Sequence, residues 1–179
     1  MATDDLLVKR IIRFHEQSSR RKHLAFSTAT EAQIRRAERS MRLTLPPLLR
    51  RLYLEVANGG FGPNRAFLGV KGGFTDEDLG GTLVEAYRNT PKKPIRCPLC
   101  EMDDIEHWQT WPDRVVPVVN WGCARFSCID FGTPGAPMLY WDGDAQPHPG
   151  PTTLEREEKS LFAWLKSWLK DPEGFEKVH

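Results

Sequence analysis

The spacing of apolar residues changes near residue 90, and that change restricts the fold more than any other feature of the chain. Upstream of it, apolar side chains recur every three or four residues, the period that lines one face of a helix. Leu7, Ile11 and Phe14 make one such face, opened by Thr3, Asp4 and Asp5, and the helix should end before Ser18. Residues 20–29 lose the period. Ile34, Ala37 and Met41 then form a second face behind a cap at Thr28 or Thr30. Pro46 and Pro47 suit the first turn of a third helix, whose missing amide hydrogens would have had no partner. That helix buries Leu48, Leu49, Leu52, Tyr53 and Val56 and stops at Asn58 and Gly59. The glycine-rich stretch 61–73 holds one strand candidate, 65–70, and a fourth helix is expected over 78–89, weakened by Gly80 and Gly81.

Downstream, short apolar runs are separated by Gly, Pro and Asp, the pattern of a small meandering sheet. Strands are expected over 115–120, 124–130 and 137–141, with a tight turn at Asp142-Gly143. A closing helix carries Leu161, Leu165, Trp168 and Leu169, and an earlier capping box at Thr152 and Glu155 leaves its start open. Helices, then strands, then a helix, without regular alternation, predict one α+β domain in which helices pack on a small, mainly antiparallel sheet. A chain of 179 residues suits one such core.

Charge separates the classes of partner. The formal net charge is +1, so nothing global draws the chain onto DNA or an acidic membrane. Residues 1–51 carry twelve Lys and Arg against five Asp and Glu, about +7, whereas residues 52–179 carry thirteen against nineteen, about −6. A basic and an acidic side are expected. The first fourteen residues hold two acids among the first five and no long apolar stretch, which argues against a signal peptide and for a cytoplasmic protein. There Cys97, Cys100, Cys123 and Cys128 are thiols or metal ligands before they are disulfides.

Four groups of side chains offer chemistry. Cys97 and Cys100 have the spacing of a zinc knuckle, which Cys123 and Cys128 could complete; the second pair is spaced too widely for a knuckle and reads equally as small buried residues at a hairpin. His107 lies close in sequence to Cys97 and Cys100, but no catalytic triad emerges, so no enzyme is expected. Arg35, Arg36, Arg39 and Arg42, with Arg20, Arg21 and Lys22, could face phosphates, although helical spacing without interleaved aromatics reads first as a solvated stripe. Asp76, Glu77, Asp78, Glu101, Asp103, Asp104 and Glu106, which in isolation read first as a solvated loop, could meet a cationic partner, with Trp108 and Trp111 as desolvated anchors or equally as core.

Three blocks add a resemblance. Leu45-Pro46 leading into Asn58-Gly59-Gly60-Phe61-Gly62-Pro63 resembles the signature of the SUKH superfamily, whose Smi/Knr-like fungal members regulate cell-wall assembly and whose bacterial members are widely regarded as immunity proteins. Residues 115–120 followed by Trp121-Gly122-Cys123 and Cys128-Ile129-Asp130 are similar to its strand-turn-strand element. Residues 160–165 resemble its terminal helix. The resemblance divides the chain into an N-terminal helix and linker, 1–29, a SUKH-like domain, 30–170, and a tail, 171–179. It implies a non-enzymatic protein-binding module without a cofactor, and an immunity protein that occludes a toxin. Of the matching residues, Leu45, Pro46, Asn58, Gly59, Gly60, Trp121, Gly122 and Asp130 are expected to shape the fold more than touch the partner. A zinc-stabilised interaction domain is the second reading and a nucleic-acid binder using the basic helices the third.

Overall fold

Helical spacing upstream of residue 90 becomes four helices in the computed structural model, which describes residues 2–22, 26–76, 81–90, 111–145 and 152–178. They are α1 (Ala2–Lys22), α2 (Glu31–Met41), α3 (Pro47–Glu55) and α4 (Leu83–Asn89). α1 continues past Ser18 because no Gly or Pro interrupts it. Thr30, not Thr28, caps α2: its hydroxyl accepts from the Gln33 amide at 3.2 Å, and Gln33 Oε1 accepts from the Thr30 amide at 2.7 Å.

α4 is shorter than expected. Thr82 holds extended backbone and forms a capping box with Glu85, whose Oε2 accepts from the Thr82 amide at 2.7 Å, so the helix starts at Leu83. The strand expected over 65–70 is also absent. A short 3₁₀ turn occupies Pro63–Arg65, and the following amides change partner at almost every residue. Leu68 N donates to Val118 O at 2.9 Å, Gly69 N to Phe74 O at 2.8 Å, and Val70 N to the Asn58 side chain at 2.8 Å. Such partners fix a loop rather than a ladder.

The sheet contains β1 (Val115–Gly122), β2 (Arg125–Asp130), β3 (Met138–Asp142) and β4 (Glu155–Glu158), antiparallel in that order. β4 has no apolar alternation to announce it. Its Glu-Arg-Glu-Glu sequence pairs with β3 through the backbone, and charge suits a strand with a neighbour on one side. The backbone bends at Asp142, whose Oδ1 accepts from Asp144 N at 2.9 Å, but β4 begins at Glu155, so the expected tight hairpin turn is not formed. Because Glu155 belongs to β4, the Thr152 and Glu155 box is unused. Ser160 instead caps α5 (Leu161–Lys170), accepting from Ala163 N at 3.2 Å. α6 (Pro172–Val178) occupies most of the expected tail.

One face of the sheet carries Val116, Ile129 and Met138 in register, all fully buried beneath the helices. α5 contributes Trp164, Leu165 and Trp168, and α1 adds Leu7, Val8 and Ile11. Phe14 of α1 meets Trp168 edge-on at 4.8 Å. Each such aliphatic side chain contributes roughly 1.5–3 kcal/mol on burial. Alternation sends Val115 and Cys128 to the opposite face, where they are buried with Trp111 beside Phe126, Leu139 and Trp141. Phe126 stacks on Trp141 at 5.2 Å. The sheet is therefore apolar on both sides. Among the described residues, no helix is long and apolar enough to cross a membrane.

Two glycines in the predicted family blocks differ in what they permit. Gly59 has φ +79°, and a Cβ there would lie 2.5 Å from Gly69 N, whereas Gly122 has φ +83° with open space around it. Gly59→Ala should therefore destabilise by more than ~3 kcal/mol, and Gly122→Ala by only about 1–2 kcal/mol, the left-handed backbone cost alone. Urea denaturation of the two variants would check this, and equal losses would contradict it.

His15 is 9% exposed, and burial, followed by the nearby Arg65, lowers its pKa from 6.5. The unfolded chain then binds a proton that the folded chain resists, so stability is full above pH 6.5 and falls as acid approaches the folded pKa. Replacing His15 with Asn should flatten that acid limb in pH-dependent thermal melts. An unchanged limb would assign the effect elsewhere.

Candidate partner-binding groove

Three sequence-distant segments meet at one groove of about 450 Å³. The first is the turn into α3. Leu45 is buried, and its amide donates to Glu38 Oε1 at 3.1 Å. The same carboxylate receives Arg50 Nη1 at 3.0 Å, which ties the turn to α2 and α3 together. Pro46 sits at the N-cap position with φ −52°, and Pro47 opens the helix, so the chain enters α3 in a fixed direction and leaves Leu48 half-buried at the groove.

The second segment is the loop after β2. Asp130 Oδ1 accepts from Gly132 N at 2.7 Å and Oδ2 from Thr133 Oγ1 at 2.5 Å. The loop closes as Ala136 N donates to Thr133 O at 3.1 Å, and the Asp130 amide donates to Pro137 O at 3.1 Å. These bonds hold Phe131 and Thr133 at the groove. The third segment is the start of α5, where the Ser160 cap projects Phe162 from the first turn. Asp4 of α1 completes the wall. The lining combines apolar side chains with the hydroxyls of Thr44, Thr133 and Ser160 and the Asp4 carboxylate, and contains neither thiol nor imidazole. That composition suits holding a peptide surface.

The other family-block residues lie elsewhere. Asn58 is 1% exposed, and its Oδ1 accepts from Val70 N at 2.8 Å while its carbonyl accepts from Phe74 N at 2.8 Å. Gly59 and Gly60 follow with left-handed backbone, packed against loop 67–74. Trp121 Nε1 donates to Ser127 Oγ at 2.8 Å, and its ring lies 6.3 Å from those of Trp164 and Phe175. Gly122 opens the turn between β1 and β2.

Of the acidic and aromatic contact candidates, Asp76 and Trp111 are described; Glu77, Asp78, Glu101, Asp103, Asp104, Glu106 and Trp108 lie outside the described residues. Asp76 exchanges two backbone hydrogen bonds with Gly81, at 2.8 and 2.7 Å. Trp111 takes the core position of its two expected readings: it is 5% exposed, and its Nε1 donates to Val115 O at 2.8 Å. An indole so enclosed presents no face to a partner. Arg35, Arg36, Arg39 and Arg42 are exposed, as a solvated stripe requires, and Arg35 is 3.8 Å from Glu31.

Cys97 and Cys100 also lie outside the described residues. Cys123 is exposed at the turn between β1 and β2, with φ +49°, and Cys128 is fully buried within β2. From the start of β2 to Cys128 is roughly 10 Å along the strand. Among the described residues, no group of three or more His, Cys, Asp or Glu side chains is placed to hold a metal ion. Burial raises the Cys128 thiol well above its ordinary pKa, and Glu157 adds to the effect. Both changes disfavour the free thiolate.

The groove itself escaped sequence reasoning because residues 45–48, 131–133 and 160–162 are contiguous only in space. The signal that could have found it is that each segment carries its own fixing device: a proline pair, an Asp bonding two residues onward, and a serine cap.

The family model described as SMI1 / KNR4 family (SUKH-1) matches residues 28–167. That span includes every groove segment except α1. No match is found among curated proteins.

Brief alkylation of the native protein with peptide-resolved mass spectrometry should label Cys123 and spare Cys128, with Cys128 reacting only after unfolding. Equal protection of both would contradict the separation described above.

Proposed function

The chain belongs to the SMI1 / KNR4 family (SUKH-1), and from that membership we propose that it is a non-catalytic protein-binding module, an immunity protein of the bacterial cytoplasm that neutralises a toxin by occluding it. The family fits a protein-interaction module. The observation that carries the reading is the groove, where segments of two family-like blocks, 45–48 and 160–162, and the loop that follows the other, 131–136, converge on an apolar and hydroxyl-bearing surface without thiol or imidazole. A rigid scaffold with such a recess can exclude a substrate from a partner by covering it, and that inhibition requires neither chemistry nor a bound metal.

Capture of stoichiometric partners from the source cell at low salt, followed by assay of the captured protein free and in complex, tests the proposal. The expected result is one toxin domain whose activity disappears in the complex, with no stoichiometric metal in this chain. A partner that remains active, or turnover by this chain itself, would overturn it. Phe162→Asp, which places a carboxylate in the apolar wall, should weaken the complex by at least ~10-fold while preserving the fold.

A further inference from the structure

A second groove, of about 680 Å³, continues from the first and shares Ser160 and Phe162 with it. Its floor is the outward face of α5, where Phe162, Lys166 and Leu169 recur at helical spacing opposite the buried Leu161, Trp164, Leu165 and Trp168. Phe162 and Leu169 are half-buried, so apolar surface remains open there. Four cations rim it: Arg10 of α1, Lys159 before the helix cap, and Lys166 and Lys170 one turn apart. All four are exposed, and among the described residues none forms an ion pair. Arg10 Nη2 reaches Leu169 O at 3.5 Å. The acid in the lining, Glu158, accepts from the Lys159 amide at 2.9 Å.

Four unpaired positive charges around an apolar strip call for a ligand of opposite charge with an apolar side. We infer that this groove receives an acidic amphipathic segment of the protein partner, its carboxylates meeting Lys159, Lys166, Lys170 and Arg10 and its apolar side chains lying on Phe162 and Leu169. The inference rests on the protein-binding reading above and specifies the partner's chemistry. A nucleic acid fits less well, because its phosphates would meet the rim while Phe162 is the one aromatic side chain of the lining, too few for a run of stacked bases. Arg10 and Lys170 lie outside the matched span 28–167, and Lys159 and Lys166 lie within it. Long-range attraction would speed docking, and the apolar strip would retain the docked segment.

Fluorescence anisotropy tests this with a synthetic amphipathic peptide of Glu, Leu and Ala, its counterpart with Lys for Glu, a single-stranded oligonucleotide, and vesicles containing phosphatidylserine. The acidic peptide should bind saturably and weaken as salt is raised. The double reversal Lys166→Glu with Lys170→Glu should weaken it by at least ~10-fold, Lys166→Gln with Lys170→Gln by less, and Arg36→Glu with Arg39→Glu on α2 should leave it unchanged. Thermal melts confirm that each variant folds. Absence of saturable peptide binding, equal loss from the α2 reversal, or tighter binding of the oligonucleotide or vesicles would overturn the inference. The captured complex separates the two levels: a partner held equally by the wild type and the Lys166 and Lys170 reversal removes the acidic-segment inference and leaves the binding module. Failure of the wild type to hold any protein removes the module, and the peptide titration then still decides what chemistry the groove accepts.

Discussion

Asn58 is the point through which the helical half and the sheet are joined. Its amide donates to Ser27 O, its side chain accepts from Val70 N, and its carbonyl accepts from Phe74 N, each at 2.8 Å. These bonds draw loop 67–74 against the end of α3, and the same loop reaches β1 through Leu68 N and Val118 O. The approach is so close that a Cβ at Gly73 would lie 2.0 Å from Asn58 O, and one at Gly69 would lie 2.4 Å from it. Burying an amide side chain stabilises only when its polar atoms are satisfied, and breaking one member exposes the others to the full desolvation cost. Tyr53 reinforces the junction by donating its buried hydroxyl to Leu68 O at 2.7 Å.

From that junction the packing divides into unequal layers. The helical face of the sheet closes over the large core, with α1 packing on both α3 and α5. The smaller cluster around Trp111, Cys128 and Trp141 buries the other face. Dense apolar packing on both sides keeps the strands in register, since a one-residue slip would exchange the two sets of side chains. The turn into α3, the loop after β2 and the cap of α5 are thereby held still relative to one another. A groove assembled from such ends is preorganised, so a ligand entering it loses little affinity to ordering the protein.

Much of the fold was legible because periodicity reports which face of an element is buried. The amphipathic faces of α1, α2, α3 and α5 and the apolar runs of β1, β2 and β3 followed that rule. β4 did not, because Glu155, Arg156, Glu157 and Glu158 form a strand through backbone pairing to β3 and carry no apolar alternation. The strand expected at 65–70 failed for the reverse reason: its side chains suit a strand, but its amides are claimed by three different neighbours. The site was less legible than the fold. Leu45, Pro46 and Asp130 stood out in the sequence, yet only their positions in space show that they frame or brace a common recess. Trp111 read equally as anchor or core, and the structure buries it.

The sequence alone determined the α+β class, the helices and most strands, the family resemblance and the concentration of basic residues in the first part of the chain, because periodicity, caps and charge counts are local quantities. Tertiary structure decided which of these local features meet. It placed Cys123 on a turn and Cys128 in the interior, enclosed Trp111, and set Arg10 across from Lys166 and Lys170 along one apolar strip. Such pairings depend on how layers close over a shared core, and burial acts on surfaces brought together from distant parts of the chain rather than on neighbours in sequence.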